Sequence, residues 1–419
     1  MDYEKVSLLC RRGIDVIFRG VGSAQRKIKG EKPIANLLYY PAAQTKAQAS
    51  DLLNRASWYF PESKFSAPKI IVPLSQKISK AKIADFTAPL PQQNFIGTNP
   101  NVSTAQEKEL AHLLPKADAI LLWQAKELFS IPNWFLNLDK IWIVDPSYLL
   151  VTESRNYIWL YNATVGRAAL NSLLEKSKSN FQKLITQIKK SKKAYLCGTG
   201  PSIAAAKDFD FSDGFGIVAN TIINDPKIMG RIKPRAIVFG DFVYHVGPSR
   251  YASKFREKMR QECREMFAIA RFDVVPLMVA RYPSLEDRIV GIPIKILGGP
   301  NIVSPQNYYV TLTNNSLTGW MLPVASSGAD EMYIIGCDGR KKGDRMYWGH
   351  AKTTHYDDLT QTLVDTHPSA FEDRDFESFY AQTVADTEAI ISLGESLGKK
   401  YYSLTPSHIP ALEKRRVRD

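Results

Sequence analysis

The chain has 419 residues, 44% of them hydrophobic and 23% charged, with a formal net charge of +13. This is the composition of a folded globular protein rather than a disordered one, and the length allows two or three domains. No apolar run approaches the ~20 residues of a membrane span. The opening Met-Asp-Tyr-Glu-Lys lacks the basic start and apolar core of a secretory signal, so a cytoplasmic location is expected, extending to the inner face of the membrane. Cys10, Cys197, Cys263 and Cys337 form no Cys-x-x-Cys pair, which argues against a disulfide framework or a zinc site.

The positive charge is uneven. Residues 1–190 hold 26 Lys and Arg against 15 Asp and Glu, while the remainder holds 29 against 27. Arg11, Arg12, Arg19, Arg26, Lys27, Lys29 and Lys32 fall in a basic segment, 1–32, and Lys414, Arg415, Arg416 and Arg418 in a tail, 411–419. Such patches suit an anionic membrane surface or a phosphorylated acceptor. No zinc-finger or RNA-binding signature supports a nucleic-acid partner.

In chain order, residues 33–154 read as one α/β unit. Strands are expected at 34–40, 69–72, 117–123 and 140–145 and a helix at 45–59, with 78–103 as polar loop. Residues 155–191 read as a basic helical connector. A second α/β unit then runs over 192–410, with strands expected at 194–197, 216–219, 236–239, 274–277, 294–297, 332–336 and 400–404 and helices at 317–327 and 376–397. Strands alternating with helices imply parallel sheets. The fold class is therefore α/β, two Rossmann-like domains facing a cleft, with ligands expected at the carboxyl ends of strands.

The stretch Ala-Tyr-Leu-Cys-Gly198-Thr199-Gly200-Pro201-Ser202-Ile reads as strand, glycine turn and helix start. Glycines allow close backbone approach, Pro201 suits a first helical position, and N–H groups at such a turn attract an anion. Further polar residues follow at expected strand or helix ends: Asn220, Asp241, Thr318 with Gly319, and Asp338. Four of the six histidines, His245, His350, His355 and His367, fall between residues 245 and 367, and histidine is the side chain most readily tuned for proton transfer. His350, His355, Asp357 and Asp358 are close in sequence but match no zinc spacing, so metal-independent chemistry is expected.

Gly198-Thr-Gly-Pro-Ser202-Ile, Asn220, Gly240-Asp241, Leu317-Thr318-Gly319 and Tyr333-Ile-Ile-Gly336-Cys-Asp338, followed by a histidine-containing loop, resemble in order the motifs of bacterial lipooligosaccharide sialyltransferases. The wider clan includes Kdo transferases, and a related glycine-Pro-Ser pattern occurs in flagellin accessory-factor proteins and pterin-pyrophosphokinase-like relatives. The resemblance covers roughly residues 192–408. It implies a GT-B-like glycosyltransferase that uses a CMP-sugar as co-substrate, with no other cofactor, and delivers sialic acid or Kdo to an oligosaccharide or lipid-linked glycan. Gly198, Thr199, Gly200, Pro201 and Ser202 would hold the nucleotide phosphate and ribose. Asn220 would touch CMP or the sugar, Thr318 and Gly319 the donor carboxylate, and Tyr347 the leaving phosphate, with Asp338 on the same edge. His367 corresponds best to the catalytic histidine, although His350 is closer in local sequence. Asp241 departs from the pattern, which has asparagine near that strand end. A carboxylate there suits a retaining double displacement, whereas a histidine base suits a single inverting attack; both remain open. So do a pyrophosphokinase-like or accessory-factor-like role with a nucleoside triphosphate and magnesium, and a non-catalytic nucleotide-binding role.

Overall fold

A computed structural model of the protein describes residues 20–22, 25, 34–86, 99–149, 152–340, 349–372 and 375–418. Most of the basic segment 1–32 and Tyr347 lie outside the described residues. The chain forms two compact units, neither continuous in sequence. Unit 1 comprises 1–170, 242–253 and 358–374; unit 2 comprises 171–241, 254–357 and 375–419. Two segments of the expected 192–410 domain thus belong to unit 1.

Unit 1 is built on five parallel strands: β1 (Asn36–Tyr40), β2 (Lys69–Leu74), β3 (Val102–Gln106), β4 (Ala119–Leu122) and β5 (Ile141–Ile143), in the order β3-β2-β1-β4-β5. One face carries a core of Leu38, Ile120, Leu122, Ile141 and Ile143. Helix Lys46–Tyr59 starts from a capping box: Thr45 Oγ1 accepts from the Gln48 N–H at 3.2 Å, and Gln48 Oε1 accepts from the Thr45 N–H at 3.2 Å. Its Tyr59 stacks on Tyr157 of helix Thr152–Val165 with ring centroids 4.3 Å apart. The single expected connector is two helices, because Gly166, at φ +82°, breaks it before helix Arg167–Ser191. The stretch expected as loop ends in β3, a polar edge strand that buries little, as edge strands do.

Unit 2 is built on seven parallel strands in the order β10-β9-β8-β7-β6-β13-β14. They are β6 (Lys193–Cys197), β7 (Phe215–Ala219), β8 (Ala236–Val238), β9 (Phe267–Arg271), β10 (Ile289–Ile292), β13 (Glu331–Ile335) and β14 (Lys400–Ser403). Two-residue strands β11 (Ile294–Lys295) and β12 (Val310–Thr311) pair separately. Phe181, Leu184, Ile185 and Ile188 of the long helix recur at helical spacing and enter the main core, the apolar stripe of an amphipathic helix.

Two expected strands are corrected. Residues 274–277 lie mostly in helix Val275–Arg281. Pro276 sits in its first turn, where the missing N–H costs nothing, whereas a central strand would need that donor; β9 supplies the strand instead. Residues 294–297 stay out of the main sheet. Ile296 and Leu297 are 76% and 86% exposed, and the fully buried β10 runs just before them.

Candidate functional site

In unit 2 the chain leaves β6 toward β7 on one side and returns after β10 to β13 on the other. The carboxyl ends of β6 and β13 therefore flank the topological switch point, where open parallel sheets bind ligands. The turn after β6 is stitched to the turn after β13. Gly198 N–H donates to Ile335 O at 2.8 Å, and Gly200 N–H to Gly336 O at 2.8 Å. A Cβ at Gly198 would fall 2.4 Å from Gly336 O, and one at Gly336 would fall 2.2 Å from Gly198 O. Only glycines permit this approach.

The anion over the glycine turn is the chain's own. Asp338 accepts from Ser202 N–H at 3.1 Å and from Ser202 Oγ at 2.9 Å. Burial pushes its carboxyl up, against the opposing pull of Ser202. Pro201, which has no N–H, opens the 3-10 helix Pro201–Asp208. The N–H groups of Gly198, Gly200 and Ser202 thus already have protein acceptors, which differs from the phosphate cradle the sequence suggests. The turn also carries polar side chains.

Thr199 carries the first of these. Its Oγ1 is 2.9 Å from His350 Nδ1, and its carbonyl accepts from Ala351 N–H at 2.9 Å. The His350 ring stacks on His355, 4.7 Å between centroids. Burial, and then the neighbouring His355, push the His350 imidazole down to about 4, so it is neutral at pH 7. Burial lowers His355 as well, against Asp357 at 3.8 Å.

Asn220, directly after β7, adopts φ +52°, a left-handed conformation that asparagine tolerates better than most residues. Ser316 Oγ donates to its Oδ1 at 3.4 Å. The adjoining turn Leu317–Met321 is a π-helical turn leading into helix Leu322–Ala325. Thr318 N–H donates to Asn315 Oδ1 at 3.0 Å, and Gly319 N–H to Asn315 O at 3.0 Å. Thr318 is 3% exposed, and its Oγ1 has no partner among the described residues. With Asn301, Thr313 and Asp386 it lines a cavity of about 90 Å³, room for a functional group but not for a whole small-molecule ligand of ~300 Å³ or more. Asp386 Oδ2 is likewise buried without a partner among the described residues.

Unit 1 holds a different cluster, around His367. This histidine follows helix Thr360–Thr366 and is 2% exposed. Its Nδ1 is 3.0 Å from Glu153 Oε2 and 3.2 Å from Ser154 Oγ. Glu153 also pairs with Arg55, which reaches Asp51 at 2.9 Å and Thr366 O at 2.9 Å. Burial pushes the Glu153 carboxyl up, but Arg55 and His367 outweigh it and hold the group below its ordinary value of 4.5. With Nδ1 donating to the Glu153 carboxylate, Nε2 is the ring nitrogen left for a further partner. That is the electronic arrangement of an oriented general base. Nε2 has no partner among the described residues, and Gly247 packs over it: a Cβ there would lie 2.5 Å from Nε2. Trp58 Nε1 donates to Val246 O at 2.8 Å and pins that covering segment.

Glu153 and Arg55 were not legible as site residues, because Glu153 meets His367 across 214 positions and Arg55 across 98. Asp241, a half-buried residue three positions beyond β8, is the last residue of this stretch of unit 2, whereas His367 belongs to unit 1. Among the described residues no three His, Cys, Asp or Glu side chains converge as a metal ion would require, and no helix is long and apolar enough to cross a membrane. Comparison with family models, with curated proteins and with solved structures gives no match.

Proposed function

We propose that the chain is a glycosyltransferase that moves an acidic ketose of the sialic acid or Kdo type from a CMP-sugar onto a cell-surface glycan, with unit 2 as the donor-binding unit. The observation that carries this reading is the group of polar side chains on the carboxyl edge of the unit 2 sheet. Thr199 with His350 stands after β6, Asn220 with Ser316 after β7, and Asp338 after β13. The ordered motifs of the sequence support the choice of donor.

In this reading Asn220 and Thr199 hydrogen-bond the nucleotide or sugar. Thr318 offers its unpartnered hydroxyl to a substituent of the sugar. Asp386, which lines the same cavity, favours a hydroxyl or amide there over a carboxylate. The GT-B-like pairing of two Rossmann-like units is part of the same proposal. Asp241 and His367 remain the catalytic candidates, one to stabilise a cationic anomeric centre, the other to take a proton from the acceptor hydroxyl. Asp241→Ala and His367→Ala are each expected to lower CMP release from a CMP-sugar by ~10²-fold or more while the far-ultraviolet circular dichroism is unchanged. Full activity in both variants would remove the catalytic assignment, and no CMP release from any CMP-sugar would remove the enzyme reading.

A further inference from the structure

The cavity beside Thr318 is lined by side chains that offer oxygen and almost no hydrogen. It lies between helix Phe376–Ser396 and the segment from Gly298 to Pro323, all within unit 2. Thr318, 3% exposed, lines one wall with a hydroxyl that has no partner among the described residues, and Asp386 lines the other with a buried Oδ2 that has none either. The remaining polar side chains have committed their hydrogens elsewhere. Asn301 Nδ2 donates to Asn307 O at 3.2 Å and to Tyr309 O at 2.7 Å. Thr311 Oγ1 donates to Gly299 O at 2.6 Å, and Thr313 Oγ1 to Asn315 O at 3.4 Å. Their oxygens keep only lone pairs. Thr313 Oγ1 also lies close to the Thr318 turn, 2.9 Å from where a Cβ on Gly319 would stand.

The charge of this lining has no counterpart in it. Among the described residues no Lys, Arg or His lines the cavity. The second oxygen of Asp386, Oδ1, accepts from Gln382 Nε2 at 2.8 Å, a neutral donor. Burial pushes the Asp386 carboxyl up, and Gln382 opposes it. A carboxylate oxygen taken out of water with neither hydrogen bond nor counterion is costly. The Thr318 hydrogen could supply one hydrogen bond but no charge. A small cation supplies the charge and accepts the lone pairs. Oxygen ligands select a hard ion, and one carboxylate balances one positive charge, whereas calcium sites gather several carboxylates. A water-sized particle needs about 10–15 Å³ of such space, so a cavity of about 90 Å³ admits an ion with further ligand atoms.

We infer that this cavity is a binding site for a monovalent metal cation, sodium or potassium, held by Asp386 Oδ2 and Thr318 Oγ1 with Asn301, Thr311 and Thr313 around it. The inference does not depend on the donor proposed for unit 2: Thr318 can give the ion a lone pair and keep its hydrogen for a sugar substituent. Its test is thermal unfolding of the full chain, with no CMP-sugar present, in sodium, potassium and choline chloride at equal ionic strength. Choline carries the same charge but shields it with methyl groups. The unaltered protein is expected to melt about 2 °C or more higher in at least one of the metal salts, saturably with concentration. D386N replaces the carboxylate by an uncharged group of the same shape and is expected to lose that difference. T318V is expected to reduce it, and carries the test should D386N fail to fold. The inference is overturned if the unaltered protein melts alike in all three salts, the outcome for a cavity that holds water only. It is equally overturned if D386N or T318V keeps the difference in full.

Discussion

His350 has a pH signature that its neighbours dictate. Its ring titrates near 4 in the folded chain against an ordinary value of 6.5. Between those values the unfolded chain binds the extra proton, so folding stability falls as pH drops from 6.5 toward 4. The contribution is fully present above 6.5. The imidazole signals of His350 are expected to stay those of a neutral ring at pH 6 in an NMR titration, and His350→Gln is expected to flatten the stability profile over that window. Titration near 6.5 would mean that the packing against Thr199 and His355 does not persist in solution. Asp338 makes a related point about residue-scale reading. Gly198-Thr-Gly-Pro-Ser202 was legible as a turn that attracts an anion. That the anion is a carboxylate 136 positions away depends on β13 lying beside β6, which no local pattern specifies.

At the scale of elements, what was readable followed local signals. Helix Lys46–Tyr59 announced itself by its capping box, and β6, β7 and β13 by short apolar runs ending in Gly or Asn. Elements were misread where an apolar run has no unique outcome: residues 267–271 and 274–277 are both apolar, and only Pro276 separates strand from helix. The polar β3 gave no apolar signal at all. The charged cluster that joins helices Lys46–Tyr59 and Thr152–Val165 was also silent, since its pairs span about a hundred and two hundred positions. Glu153→Gln leaves Arg55 buried with one fewer partner and is expected to cost about 3–5 kcal/mol, read as a lower urea midpoint. Because Glu153 is held below its ordinary 4.5 in the fold, its contribution is present above that value and lost as pH falls through the lower folded one. Glu153→Gln should therefore also reduce the acid sensitivity of unfolding below about pH 4.5. An unchanged midpoint at neutral pH would show that the cluster is hydrated rather than buried.

At the scale of the molecule, two parallel-sheet units share one chain that crosses between them several times. The exposed side chains Phe129, Phe135 and Leu136 belong to the first, the polar sheet edge to the second. Calorimetry of the full chain with CMP, and separately with ATP and magnesium, tests the central claim most directly. The account predicts that CMP binds without added metal and that Asn220→Ala and Thr318→Ala each weaken it about tenfold, the worth of one hydrogen bond to a buried site. Binding of ATP with magnesium but not CMP, or of neither nucleotide, would contradict it.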